Sequence, residues 1–158
     1  MGNSKNPQAG GRRWRLGSAR LKAEERAVGT IVKEIVIEAL AGEVWEAVRD
    51  VGRPHTRLTP GVLAGCEFDG ASRVVTFANG AVARELIVSV DEGARRVAYA
   101  VVEGRPTHHN ASMQVFAEGE RAARLVWTTD FLPDSFAEIA TPLIEAGSRA
   151  MQKTLGRA

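Results

Sequence analysis

The stretch GRPTHHNASMQVF, Gly104 to Phe116, holds two of the chain's three histidines side by side, His108 and His109. Imidazoles ligate metals and move protons near neutral pH, so the pair raises both chemistries. Adjacent residues of an extended strand point to opposite faces, and His108 and His109 therefore do not readily close on one metal ion. Helical histidine ligands come four apart around a glutamate, a spacing this chain does not contain. Cys66 is the single cysteine, which excludes an intrachain disulfide and a cysteine-rich metal site. No metal and no cofactor are expected. The chain has neither a GxxxxGK phosphate loop nor a GxGxxG turn, and Ser148 stands in AGSRA rather than in a GxSxG elbow.

On the strand carrying the histidines, one faces in and the other out. If His108, Asn110 and Ser112 share the inner face, the strand offers three polar contacts to a ligand. Met113 and Val115 lie on the opposite face and look more like core. A second candidate is Glu85 in VARELIVSV. Hydrophobicity alone turns Val82, Arg84, Leu86, Val88 and Val90 inward and leaves Glu85 in water. The turn around Asp91 to Ala94 decides how this strand meets the next, which carries Val97, Tyr99 and Val101 on one face. A two- or four-residue loop puts Leu86 beside Tyr99, and a three- or five-residue loop puts Glu85 and Tyr99 on the same face. A carboxylate inside an apolar cavity is costly unless paired, and such a group is a natural polar anchor or general base. Trp127 reads as core, Asp130 as a turn or helix-dipole partner, and Cys66 as a small buried residue.

The elements that hold these residues follow from local pattern. TIVKEIVIEAL, from Thr30, is rich in β-branched residues and reads as a strand. AGEVWEAVRDV places Val44, Val48 and Val51 at helical spacing, and Gly52 and Pro54 end that helix. RPHTRLTPGV has room for one short helical turn. Six strand-like runs follow: VLAGCEFD, RVVTFA, VARELIVSV, RRVAYAVV, NASMQVFA and ARLVWTTDFL. Short glycine-containing gaps between most of them predict antiparallel neighbours. In the final segment Phe136, Ile139, Ala140, Leu143, Gly147, Ala150, Met151 and Thr154 share one helical face. Pro142 inside that pattern either kinks the helix or opens a new one. The order predicts an α+β fold, a curved antiparallel sheet of about seven strands against a long C-terminal helix. Seven strands at ~4.8 Å spacing make a sheet roughly 30 Å wide. A helix is only about 10 to 12 Å across. The sheet must curl around it, and the many Ala, Val and Gly residues favour a pocket in the space left.

At 158 residues, 44% hydrophobic and 25% charged, the chain reads as one soluble domain with no integral membrane segment. The net charge of +2 divides unevenly. Residues 1–28 carry seven Lys/Arg against two Glu, and residues 29–158 carry fourteen against seventeen acidic residues. The domain itself is acidic, which argues against nucleic-acid binding. The basic segment 1–28 has no hydrophobic run, and reads as a disordered tail rather than a signal peptide. The lone cysteine suits a reducing, cytoplasmic setting.

The stretches EVWEAVRDVGRPHTRLTPGV, NGAVARELIVSVDEGARRVAYAVVEG, HHNASMQVF and RLVWTTDFLP, with the final helix, resemble the START-like superfamily, also called SRPBCC. Its members include the major birch pollen allergen, the plant abscisic acid receptors and the bacterial polyketide cyclase/dehydrase and lipid-transport group. The resemblance covers about residues 30 to 157, within a domain spanning 29–158. It departs at RLTP, where many bacterial relatives have a Trp before the Pro. It implies a helix-grip fold with an apolar cavity between sheet and helix. It also implies that Glu85, Tyr99 and Ser112 face that cavity, which favours the inward phase of His108 and Asn110. Leu86, Val88 and Val90 then lie on the convex side and want cover from the tail or from a second copy in a homodimer. The function implied is binding of a small apolar molecule: a lipid, a polyketide or an aromatic metabolite. The alternatives are a cyclase- or dehydratase-type enzyme, with Glu85 or His108 as base and Tyr99 as hydrogen-bond donor, and a protein-interaction domain with a closed cavity.

Overall fold

The computed structural model describes residues 29–156. The tail expected over residues 1–28 lies outside them. Strand β1 (Thr30–Ile37) leads into α1 (Ala41–Val48) and the one-turn α2 (Pro54–Arg57). Strands β2 (Leu63–Phe68), β3 (Ser72–Phe77), β4 (Val82–Asp91), β5 (Arg96–Glu103), β6 (His108–Glu118) and β7 (Ala122–Leu132) follow as a meander. A 3-10 turn at Asp134–Phe136 then leads into α3 (Ala137–Leu155). All seven strands form one antiparallel sheet in the order β1-β7-β6-β5-β4-β3-β2. The first strand closes against the last, and β2 forms the far edge. This is the expected helix-grip arrangement. Pro142 lies within α3, so one helix runs through it rather than starting there.

The sheet is too wide for one helix to cover evenly. On one side α1, β1, β6 and β7 close over the C-terminal end of α3, with Ile37, Val44, Trp45, Leu125 and Met151 as a filled core. A smaller cluster of Phe131, Ala140 and Ile144 seals the start of α3. Lys33 on β1 pairs with Glu145 on α3 at 2.7 Å, and Gln152 donates to the Val36 carbonyl at 3.1 Å, so α3 is fastened to the β1 edge. The remaining half of the concave face, β2 to β5, curls over space that the core does not fill.

The β4–β5 hairpin has the detail that decides which side chains enter that space. Asp91 pairs with Arg96, leaving the four-residue loop Glu92 to Arg95. A regular ladder from that turn would bring Val88 opposite Tyr99 and turn Glu85 outward. Instead a bulge at Val88 interrupts the ladder, and Ile87 pairs with Tyr99 while Glu85 pairs with Val101. Glu85 and Tyr99 therefore share the concave face despite a four-residue loop, a combination that loop length alone does not predict. Leu86 and Val88 lie on the convex side, 43% and 61% exposed. Val90, expected beside them, lies beyond the bulge opposite Val97, and so takes the other face at the strand end.

Candidate functional site

The open half of the concave face is a cavity of about 540 Å³ between β2–β7 and α3. This is within the usual size range of small-molecule sites, and the cavity is not closed by side chains. Its walls are mainly apolar: Leu58, Val75, Val101 and Met113 from below, Leu143 and Ile144 from α3. The exposed turn Asn79–Ala81 and the loop Gly104–Pro106 contribute to its rim.

One charged pair stands in this apolar wall. Arg73 on β3 is the direct cross-strand partner of Glu85 on β4. Arg73 Nε donates to Glu85 Oε2 at 2.6 Å, with the two side chains only 8% and 10% exposed. Arg73 Nη1 also donates to the Val51 carbonyl at 3.0 Å, tying the pair to the α1–α2 connection. The guanidinium lies over the Tyr99 ring, 5.0 Å from its centroid. Burial pulls the Arg73 guanidinium down, but the Glu85 carboxylate and Tyr99 outweigh it and hold it above its ordinary value. Arg73 thus compensates the carboxylate inside the cavity, as its burial requires.

Tyr99 is buried, and its phenol is pushed well above its ordinary value, first by burial and then by the nearby Glu85 charge. Arg73 and the Trp127 indole N–H act in the opposite sense and do not cancel these effects. Trp127 Nε1 approaches the Tyr99 hydroxyl without completing a hydrogen bond, and is one of two buried side-chain polar atoms among the described residues with no partner. The other edge of that indole rests on Gly147 of α3. A Cβ at position 147 would lie 3.0 Å from Trp127 Cζ3, so the helix comes this close because the residue is glycine. Trp127, expected only as core, also lines the cavity.

The β6 strand takes the phase opposite to the one the resemblance favoured. His109, Ala111, Met113 and Val115 face the concave side, and His109 and Met113 line the cavity. His108, Asn110 and Ser112 lie on the convex face and do not line it. The reason is packing: Met113 pairs across to Val97 and Trp127, all on the inner face, and Ser112 pairs with Ala98 and Thr128 outside. Hydrophobicity alone carried the correct phase. His109 packs against Phe131 and Phe136, with ring centroids 6.5 and 5.8 Å away. Burial and the neighbouring His108 lower its imidazole below the ordinary value, against a smaller raising effect of Asp130, so it is neutral at pH 7. Asp130 accepts from the Thr30 hydroxyl at 2.7 Å across the β1–β7 ladder, and Cys66 is half-buried on β2.

Of the five expected site residues, the structure brings Glu85 and Tyr99 together and leaves His108, Asn110 and Ser112 outside. Sequence reasoning missed Arg73, His109 and Trp127. The signal for Arg73 was its position two residues before Val75 on one strand face, legible only once its pairing with Glu85 is known. Among the described residues there is no group of three metal-ligating side chains, and no helix is long and apolar enough to cross a membrane.

A curved sheet gripping a terminal helix around a cavity of this size defines the START-like class. Within it, the chain belongs to the polyketide cyclase/dehydrase and lipid transport family, whose model matches residues 29–158. It is therefore a ligand-binding domain. Solved structures of the same fold include the protein XoxI from Bacillus cereus, with 15% identity, TM-score 0.73, and coverage of 80% of this chain and 95% of that one. A START superfamily protein from Mycobacterium smegmatis has 15% identity, TM-score 0.66, and coverage of 80% and 96%. Norcoclaurine synthase from Thalictrum flavum, in complex with dopamine and hydroxybenzaldehyde, has 21% identity, TM-score 0.61, and coverage of 78% and 84%. No curated protein matches the chain.

Proposed function

We propose that this protein binds a small, largely apolar molecule, such as a lipid, a polyketide or an aromatic metabolite, in the cavity between β2–β7 and α3. The observation that carries this reading is the cavity itself: about 540 Å³ of apolar-walled space with one compensated ion pair and one tyrosine in it. Affinity comes from burial of apolar surface at roughly 25 cal/mol per Å², and the polar groups set orientation. The family description, lipid transport included, supports it. The test is native mass spectrometry of protein purified from its own host, followed by denaturation and identification of what is released. A stoichiometric apolar molecule is expected. A clean apo mass, together with no uptake of added lipids or aromatic compounds, overturns the reading.

A second reading, catalysis of a cyclase or dehydratase type, is favoured by one observation: a neutral, half-buried imidazole lines the same cavity as Tyr99. The base in that reading is His109, since His108 lies on the other face. Norcoclaurine synthase shares the fold and was solved with two aromatic compounds bound, which supports aromatic substrates as one class to try. Replacement His109→Ala separates the readings. A binder loses at most about tenfold in affinity, the scale of one hydrogen bond, while an enzyme loses ~100-fold or more in rate.

A further inference from the structure

The polar groups of the cavity are unequal in what they have left to offer, and that inequality describes the ligand. Arg73 is the one buried cation in the wall, and its charge is already committed to Glu85 at 2.6 Å, to the Val51 carbonyl at 3.0 Å and to the Tyr99 face. A ligand carboxylate at this place would have to break that pair, or sit as a second anion beside Glu85. Either leaves an uncompensated charge in a desolvated site. Of the donors beside the pair, Trp127 Nε1 is buried with no hydrogen-bond partner among the described residues, and Tyr99, whose hydroxyl is not among those buried orphans, lines the cavity. Burial and Glu85 keep that phenol protonated, so it is a donor throughout the physiological range. An occupant that supplies an acceptor to this hydroxyl gains a hydrogen bond inside the cavity.

We propose that the buried end of the ligand carries a neutral oxygen acceptor, a ketone, ester or hydroxyl, seated on Tyr99, and that molecules ending in a carboxylate are rejected there. This rests on the cavity-binding reading above and narrows it to a chemical class. The donor set alone does not choose among the three oxygens. The Arg73–Glu85 pair makes the choice against the anion.

The experiment uses three probes of one shape: 2-acetylnaphthalene, 2-isopropenylnaphthalene and 2-naphthoate. They present a ketone, a hydrocarbon and a carboxylate on the same ring system. Binding to the full chain is measured by equilibrium dialysis at pH 7.5, with the wild type and with Tyr99→Phe. The ketone is expected to bind at least as tightly as the hydrocarbon, although water solvates it better, and at least ~100-fold more tightly than the naphthoate. Tyr99→Phe is expected to weaken the ketone about three- to tenfold and leave the hydrocarbon unchanged. Naphthoate binding equal to the ketone overturns the inference, as does an equal loss of ketone and hydrocarbon in Tyr99→Phe. Binding of none of the three, where lipids also fail, removes the cavity reading and this inference with it. Should Tyr99→Phe not fold, the wild-type ranking of the three probes still decides.

Discussion

The buried pair at the cavity floor gives the sharpest quantitative expectation. Arg73→Met leaves Glu85, 10% exposed, with no counter-charge and no other donor in the described residues. Removing one partner of a desolvated pair costs about 3 to 5 kcal/mol. The bond from Nη1 to the Val51 carbonyl is lost as well, which costs about 1 kcal/mol more. The double variant Arg73→Met/Glu85→Leu removes the stranded charge and fills the same volume with apolar atoms. Such replacements are roughly neutral or stabilising. With the Val51 carbonyl still unpaired, the double variant should fall within about 2 kcal/mol of wild type and be more stable than Arg73→Met alone. Urea unfolding followed by tryptophan fluorescence measures Arg73→Met, Glu85→Leu and the double variant, and since each single strands one buried charge at about 3 kcal/mol or more while the double strands none, the coupling from the cycle is expected at about 5 kcal/mol or more. If Arg73→Met costs under about 1 kcal/mol, or if the double variant costs the sum of the two singles, the pair is not desolvated as its geometry states.

Three further expectations are independent of that one. Tyr99 is the only tyrosine of the chain, so absorbance at 295 nm reports its ionisation alone. With its folded value raised above the ordinary 10.0, the folded protein should show no tyrosinate at pH 11. Its contribution to stability is complete below about pH 10 and is lost as pH rises above it. Tyrosinate in the still-folded protein near pH 10 contradicts the burial. His109 should titrate below its ordinary 6.5 by NMR of the imidazole protons, and since its folded value is depressed, its contribution to stability is held above pH 6.5 and lost as pH falls. A midpoint at or above 6.5 contradicts its place in the aromatic cluster. Gly42→Ala in α1, with nothing within 4 Å of the new Cβ, should gain up to about 1 kcal/mol of helix propensity. Gly147→Ala meets Trp127 at 3.0 Å, so overpacking of about 1 to 3 kcal/mol offsets that gain, and indole emission should shift. Equal thermal stabilisation of both variants refutes the close approach.

The order of elements was legible in the sequence because each signal is local: β-branched runs, short glycine turns and one helical face in the last segment. The inward residues were less so, since they depend on pairing. Glu85 reaches the cavity through a bulge at Val88 that no residue in VARELIVSV announces. Arg73 carries the charge that makes Glu85 tolerable, but the two are twelve positions apart and meet only through the β3–β4 register. On β6 the apolar set Ala111, Met113 and Val115 was the correct guide. Polarity and resemblance pointed to His108, Asn110 and Ser112, and packing against Val97 and Trp127 overrode them.

The Val88 bulge has one more consequence. The amino-acid string of β4 can be read in two frames, like a message with an optional letter. In one frame Leu86 and Val88 face inward, and hydrophobicity alone prefers it. In the other, Glu85 and Ile87 do, and Arg73 across the ladder selects it. Val88 is the letter skipped. A chain lacking Val88 needs no skip: Ser89 stays opposite Ala98, Ile87 opposite Tyr99, and Glu85 remains inside on a straight strand. A chain that keeps Val88 but loses Arg73 holds the second frame only with Glu85 stranded in it. Relatives aligned letter by letter across this hairpin will match residues that face opposite sides of the sheet unless the skipped position is counted.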